Sequence, residues 1–587
     1  MKNLINSRRL AMMATAGLLA ACGGSNAPDP MQTFTQQSLA WQACDPTILG
    51  QETALFEGLG SRAQCANMRV PLDHDNPGKG EAVVALLRVS AEDSKQRAGA
   101  IFFNPGGPGG DGLGFAAMYG ALWASANPAD PLGKPLKQLS MQYDLIGFSP
   151  RGVGASTRLY CASNEMLKEV QLPSADRSAE NIDNMLYNAR LKADACRKNP
   201  LSRYINTEQT ARDMDLARQL LGDEKLNYIG YSYGTWLGAW YASRFPERAG
   251  RMVLDSNMNF AGTFDDAVLM QPMGFQRILD QVLAPYAARH NNRFALGTSA
   301  DEVRAIYGAL PHSLKDFLRF RMSFYKSSEA VNNVLILAAG KGVGNLIDTF
   351  PAATRNELHN LVEARVFSPN AELNAHARAH GHDLVSFHFR PPFQRVSVEM
   401  VPSQAVFQTV SCNDTPTRRD PQFWIEEGNA QAVKYPLHGG GITEHPCLYW
   451  DGPVVAKPSL AATANAAPIL MIQTQYDGAT PAEGAMTAFA ALPKVGMIYI
   501  ENEYSHGAFP YGTVCVDQAV ANYFASGTLP GRSLTCPGKP LPGDAPMAAQ
   551  AKQARPVSDQ TYTDPARAAQ LIEGIHRILR ENGPRGF

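Results

Sequence analysis

Short apolar runs along this chain alternate with stretches of helical periodicity. Glu81–Val89 is rich in Val and Leu, as a strand should be. Residues 100–103 form a brief apolar run that stops at Asn104-Pro105-Gly106-Gly107-Pro108-Gly109-Gly110. Tyr143–Phe148 is another, followed by Ser149-Pro150-Arg151-Gly152-Val153-Gly154. Residues 207–221 bring Ala211, Met214, Ala217, Leu220 and Leu221 onto one helical face. Residues 226–230 read as a strand ending in a glycine turn, 235–244 as a helix stopped near Pro246, and 252–254 as a strand. Repeated at this spacing, strand, loop, helix and strand predict a mostly parallel sheet with helices on both faces.

The rhythm is lost after residue 260. Helical patterns over 300–310 and 355–365 and a turn-rich piece at His438-Gly439-Gly440-Gly441 replace it. It resumes at Ile469–Thr474 and Val495–Glu501. The predicted organisation is therefore a core in two parts, 65–259 and 466–537, interrupted by a mainly helical cap over 260–465. A loop and a terminal amphipathic helix over 565–581 fill 538–587.

Composition leaves this picture intact. The 587 residues are 45% hydrophobic and 18% charged, with a formal net charge of -1. That suits a globular chain and lacks the basic stripe of a nucleic-acid binder. The N-terminus adds an address. Lys2, Arg8 and Arg9 precede an apolar stretch from Leu10 to Ala21, too short to span a bilayer stably. Leu19-Ala20-Ala21-Cys22 resembles the lipobox of bacterial lipoproteins, with Cys22 as the acylated residue. Residues 1–22 are thus expected to be a lipoprotein signal peptide and 23–64 a tether and extension. The chain is expected to be exported and held in the cell envelope by lipid. Nine cysteines less Cys22 leave eight. Proximity suggests Cys44–Cys65, Cys161–Cys196, Cys412–Cys447 and Cys515–Cys536, in an oxidising compartment.

Chemistry enters with Gly230-Tyr231-Ser232-Tyr233-Gly234, a G-x-S-x-G between a strand and a helix. A serine at the apex of so sharp a turn projects above the sheet at a helix N-terminus, which points to the nucleophile of an α/β-hydrolase fold. Such a serine needs a base and an orienting acid, in the chain order Ser, Asp or Glu, His. His506 follows one strand and Asp477 the strand before it, which makes them the expected partners; Asp255, after an earlier strand, is the rival acid. The N–H groups of Gly107 and Tyr233 are the expected oxyanion hole. His376, His380 and His382 lack a second motif, so no metal is expected, and no cofactor is needed. Trp236, Trp240 and Tyr241 are expected to be packing residues.

The segments around Asp213, Ser232, Asp255, Asp414, His445, Asp477 and His506 together resemble the tripeptidyl aminopeptidases of actinobacteria and their relatives, the proline iminopeptidases. Ser149 stands where these relatives have an acidic residue, and Pro105-Gly106-Gly107-Pro108-Gly109 where they often have His-Gly-Gly-Pro-Gly. The resemblance implies a secreted serine exopeptidase that acts on peptide substrates from a free N-terminus. The substrate ammonium would need acidic partners, with Asp414 first and Glu444 next among the cap's carboxylates. Asp414 reads equally well as a structural carboxylate near the Cys412 bridge. The same triad also serves an esterase or lipase-like hydrolase, and a non-enzymatic surface lipoprotein could be built on the same scaffold.

Overall fold

A ten-stranded sheet runs through the centre of the computed structural model, which describes residues 29–48, 58–322, 326–545 and 555–582. The leader over residues 1–22, with Cys22, lies outside the described residues. The chain forms β1 (Gln42–Ala43), β2 (Ala63–Pro71), β3 (Glu81–Val89), β4 (Gly99–Asn104), β5 (Tyr143–Phe148) and β6 (Cys161–Met166). It continues with β7 (Leu226–Tyr231), β8 (Ala249–Asp255), β9 (Ser397–Met400), β10 (Ile469–Thr474), β11 (Val495–Glu501) and β12 (Ser533–Pro537). The sheet order is β1-β2-β3-β5-β4-β7-β8-β10-β11-β12. The pairs from β5 through β12 are all parallel, while β1, β2 and β3 pair antiparallel at one edge.

Alternation within the strands builds two cores, one on each face. Val84, Leu86 and Phe102 face one side. Ala85, Leu87, Ile101 and Phe103 face the other. This period of two explains why the strands read so plainly from the sequence. The parallel arrangement also puts the loops after β4, β7, β8, β10 and β11 at one edge, where open α/β sheets bind ligands.

The interruption between β8 and β10 is larger than a loop and has a core of its own. Leu314, Leu318, Val334, Leu337, Val343, Val362 and Leu384 are buried together there. At its centre runs Ala330–Thr349, a helix whose glycines at 340 and 344 let Leu318 and Leu310 pack closely. With the preceding turn, this helix is long and apolar enough to cross a membrane, but 72% of its apolar window is buried within the cap.

The structure departs from the expected organisation at one point. The first part of the core is itself interrupted between β5 and the helix Thr207–Leu220. There β6 pairs with β9 of the cap as a two-stranded ribbon, and the helix Ala179–Arg197 packs against cap residues. Arg177 donates to Gly440 O, and Lys192 pairs with Glu444. The lid thus comes from two separate insertions. An amphipathic helix such as Ala179–Arg197 suits a core crossover and a lid element equally, so its role follows from packing alone.

All four disulfides expected from proximity are present: Cys44–Cys65, Cys161–Cys196, Cys412–Cys447 and Cys515–Cys536. Two of them clip the sheet's ends, and two hold the lid.

Candidate active site

Ser232 sits between β7 and the helix Tyr233–Arg244 with φ 55° and ψ -122°. A non-glycine residue in this region is strained and persists only where its surroundings enforce it. The surroundings do so by close approach. A Cβ on Gly230 would lie 2.5 Å from Gly234 O, and one on Gly234 would lie 2.8 Å from Asn104 O. The turn is further tied down by Ser232 N–H, which donates to Asp255 O at 3.0 Å.

The glycine-rich loop after β4 lies directly over this turn. Gly106, at φ 94°, comes so near that a Cβ would meet Ser232 Cβ at 2.9 Å and Tyr233 N at 3.0 Å. Gly106 N–H is engaged by Asn104 Oδ1 at 2.9 Å. Gly107, the next residue, lines the same cleft as Ser232. Tyr233 N–H, at the first position of its helix, has no intrahelical acceptor. Asn104 therefore anchors the start of this loop. The acidic residue replaced by Ser149 also has a substitute. Ser149 Oγ donates to Asp111 Oδ1 at 2.8 Å, so the glycine-rich loop itself supplies a carboxylate here.

The acid and base candidates meet at the ends of β10 and β11. His506 Nδ1 is 3.0 Å from each oxygen of Asp477. Asp477 is fully buried and also accepts from Ala479 N, Thr480 N and Thr480 Oγ1, which fix its orientation. Burial alone would lower the pKa of His506, yet the charge and hydrogen bond of Asp477, with the charge of Asp255, outweigh it and raise the value. Asp255, the rival acid, has a different task. Its carboxylate accepts from Ala508 N and Phe509 N, at 2.7 Å from the latter, while Ser256 Oγ accepts from Gly507 N at 2.7 Å. The backbone that follows His506 is thereby clasped to the end of β8. Desolvation pushes the Asp255 carboxyl up to about 7.

A narrow cleft opens between core and cap beside Ser232. Ser232, Gly107 and Thr480 line it on the core side, and Phe264, Val268, Met270 and Phe407 give it an apolar wall. Its lining contains no charged side chain.

Sequence profiles agree with the architecture. The profile of the α/β hydrolase fold matches residues 99–296, and that of TAP-like proteins matches residues 435–536. The chain has the α/β-hydrolase fold. It is a serine hydrolase related to peptidases. The tripeptidyl aminopeptidase of Streptomyces lividans is 27% identical over 495 residues, 81% of this chain and 83% of that protein. The serine protease Hip1 of Mycobacterium tuberculosis is 26% identical over 497 residues, 81% and 87% of the two chains. A carboxylesterase B of the same species is 28% identical over 545 residues, 91% and 96% of the two chains.

The two carboxylates named for a substrate ammonium are both engaged within the protein. Asp414 does not face the cavity as an ammonium partner. It is fully buried and accepts from Thr207 N at 2.9 Å, Thr207 Oγ1 at 2.5 Å and Trp236 Nε1 at 3.1 Å. Desolvation pushes its carboxyl up to about 7. Its work is to join the cap to the helix Thr207–Leu220. Glu444 is also engaged, by Lys192 at 2.5 Å. Both carboxylates sit beside cysteine-bearing segments, and sequence alone did not separate a lid fastening from a substrate contact.

The other assignments on this hydrolase fall into simple packing. Trp236, Trp240 and Tyr241 are buried, and their polar tips meet Asp414, Glu208 and Asp215. His380 meets Asn332, and His382 meets His359 and Glu363. His376 is exposed on the same helix, Ala371–His388. Sequence reading missed Thr480 and the pair Asn257 and Asn259, which also line the cavity. The signal for the pair was their position just past the end of β8, at the sheet's ligand-binding edge.

Proposed function

We propose that this protein is an exported serine peptidase that removes short peptides from the free N-terminus of peptide substrates through an acyl-enzyme. The observation that carries the reading is the 3.0 Å pairing of His506 with Asp477 at the sheet edge that also bears the strained Ser232 turn. In this mechanism His506 takes the proton of Ser232 Oγ, and the oxygen attacks the scissile carbonyl carbon. Asp477 holds the imidazole tautomer and stabilises its positive charge. Gly107 and Tyr233 N–H groups donate to the oxyanion. The protonated His506 then gives its proton to the leaving amine as the C–N bond breaks. Water, deprotonated by His506, releases the acyl group and regenerates Ser232.

Support for N-terminal action comes from the tripeptidyl aminopeptidase relatives. A three-residue acyl group would put its ammonium about 10 Å from Ser232, outside the uncharged cavity. Export is supported by four disulfides, which persist in oxidising compartments. Lipid attachment at Cys22 is proposed from the lipobox alone.

Ester hydrolysis is the second reading, favoured by the apolar, uncharged cavity and by the carboxylesterase B relative. One experiment tests both. A fluorophosphonate should label the protein but not its Ser232→Ala variant. Mass spectrometry should then find short N-terminal products from free peptides and none from N-acetylated ones. Equal cleavage of the two would overturn N-terminal action, and turnover of aliphatic esters alone would favour the esterase.

A further inference from the structure

The chain turns sharply between β11 and His506. Asn502, at φ 58°, reverses it, and Glu503 follows with its side chain fully buried. Glu503 Oε1 accepts from Tyr504 N–H at 2.8 Å, Ser505 N–H at 2.9 Å and Ser505 Oγ at 2.8 Å. Its Oε2 accepts from Tyr511 OH at 2.6 Å and Ser327 Oγ at 3.2 Å. Taking a carboxyl group out of water is costly unless hydrogen bonds offset it, and here both oxygens are well supplied with donors. The acyl-transfer steps make no use of this group.

Its bonds reach toward both partners of Ser232. Glu503 O accepts from Tyr476 N–H at 2.8 Å, and Tyr476 adjoins Asp477. Glu503 Oε1 holds the N–H of Ser505, which adjoins His506. Acid and base thus each stand one residue from a group that Glu503 holds. Thr474 Oγ1 donates to Ser505 O at 2.9 Å and closes the loop onto β10. The remaining donor comes from the cap. Ser327 opens the turn Ser327–Glu329 at the foot of the central cap helix. Its N–H also donates to Ser505 Oγ at 3.3 Å. Its neighbour Lys326 is paired with Glu573 of the helix Pro565–Asn582 at 2.8 Å, so this contact is itself fastened.

We propose that Glu503 is a positioning residue that sets His506 in register with Asp477 and, through Ser327, makes that register depend on the seated cap. The proposal rests on Ser232, Asp477 and His506 being the catalytic triad. Glu503 acts through the backbone at Ser505 and Tyr476 and carries no proton of the reaction. Its place complements that of Asp255, which holds the backbone after His506, whereas Glu503 holds the backbone before it. The base is thereby fixed from both sides, and the reacting groups are pre-aligned. An amide in place of the carboxyl group can do the same work. Its oxygen keeps the donors of Tyr504 and Ser505, and the hydroxyls of Tyr511 and Ser327 rotate to accept from its NH₂. A methyl group cannot, and it leaves two buried N–H groups without an acceptor.

The test follows labelling of Ser232 by a fluorophosphonate in the full chain, resolved into a maximal rate and a half-saturating concentration. Glu503→Ala should lower the maximal rate by about 10²-fold, as a displacement of about 1 Å at a reacting group does. The half-saturating concentration should stay unchanged, because Glu503 does not line the cleft. The acid limb of the rate should move to lower pH, since a loosened Asp477 no longer holds the pKa of His506 up. A merely structural role would not move that limb. Glu503→Gln should restore most of the rate and return the limb to its wild-type position. Ser327→Ala leaves the loop's own bonds in place and serves even if Glu503→Ala fails to fold. It should slow labelling and shift the limb in the same direction, by less. An unmoved limb in either alanine variant would overturn the proposal, as would a loss in Glu503→Gln equal to that in Glu503→Ala. Failure of the wild-type protein to be labelled at Ser232 would instead overturn the triad reading.

Discussion

At the scale of single residues, the candidate base carries a testable electrostatic signature. The pKa of His506 is raised by the charge and hydrogen bond of Asp477, so the imidazole loses its proton, and activity rises, at higher pH than for an unperturbed histidine. Asp477→Asn should shift this acid limb of kcat/KM to lower pH and reduce kcat by roughly 10⁴-fold, as loss of the orienting acid does in such triads. Asp255→Asn should act differently. An asparagine can accept only one of the two N–H groups at Ala508 and Phe509 and turns its own NH₂ toward the other. The expectation is a fall in kcat of about 10- to 100-fold with little change in KM, and a smaller shift of the limb than in Asp477→Asn. A loss equal to that of Asp477→Asn would mean that Asp255 is more than a positioning residue. Ser232, Asp477 and His506 were legible because each follows a strand, and strand ends can be read from local pattern. The task of Asp255 was not, because it depends on which strands become neighbours.

At the scale of elements, the loop after β5 is anchored by a buried ion cluster. Arg151 Nε and Nη2 bond Asp213 Oδ2 and Oδ1 at 2.7 Å and 2.6 Å, and His74 Nε2 lies 2.8 Å from Oδ1. Arg151 also donates to Pro71 O and Leu72 O, so one guanidinium joins β2, the loop and the helix Thr207–Leu220. Burial would raise the pKa of Asp213, but Arg151 and His74 lower it below 3.8. A depressed carboxyl pKa gives stability that is present above the unfolded value, near 3.9, and lost as pH falls through the folded one. Asp213→Asn leaves Arg151 buried without its partner and should cost about 3–5 kcal/mol in urea unfolding at pH 7. The gap between wild type and variant should narrow below about pH 4. Helices and strands of the core were predicted closely because their periods are regular. The ribbon of β6 and β9 was invisible, since its strands are short and far apart in the chain.

At the scale of the whole molecule, the lid is a composite whose rigidity decides the shape of the cavity. Phe407 lines the cavity from the helix Pro402–Asp414, and Cys412 on that helix is bound to Cys447 across 35 residues. Loop-closure entropy assigns such a bridge about 4 kcal/mol. The double variant Cys412→Ser and Cys447→Ser should raise KM several-fold and leave fluorophosphonate labelling of Ser232 near the wild-type rate. Equal losses in KM and labelling would mean that the bridge supports the core as well. A two-part core with an intervening cap could be read from the loss and return of the sheet rhythm. The contribution of 161–205 to the lid could not, since it follows from packing between distant segments.

The clasp between Asp255 and Ala508 also sets an order of events in the life of the chain. Its two ends are 253 residues apart. A ribosome adds about 5–20 residues per second, so the serine half precedes the histidine half by roughly 10 to 50 seconds. Through that interval the growing chain carries Ser232 with no base beside it. The enzyme is born inert, and it arms itself only when its last quarter arrives and docks on β8.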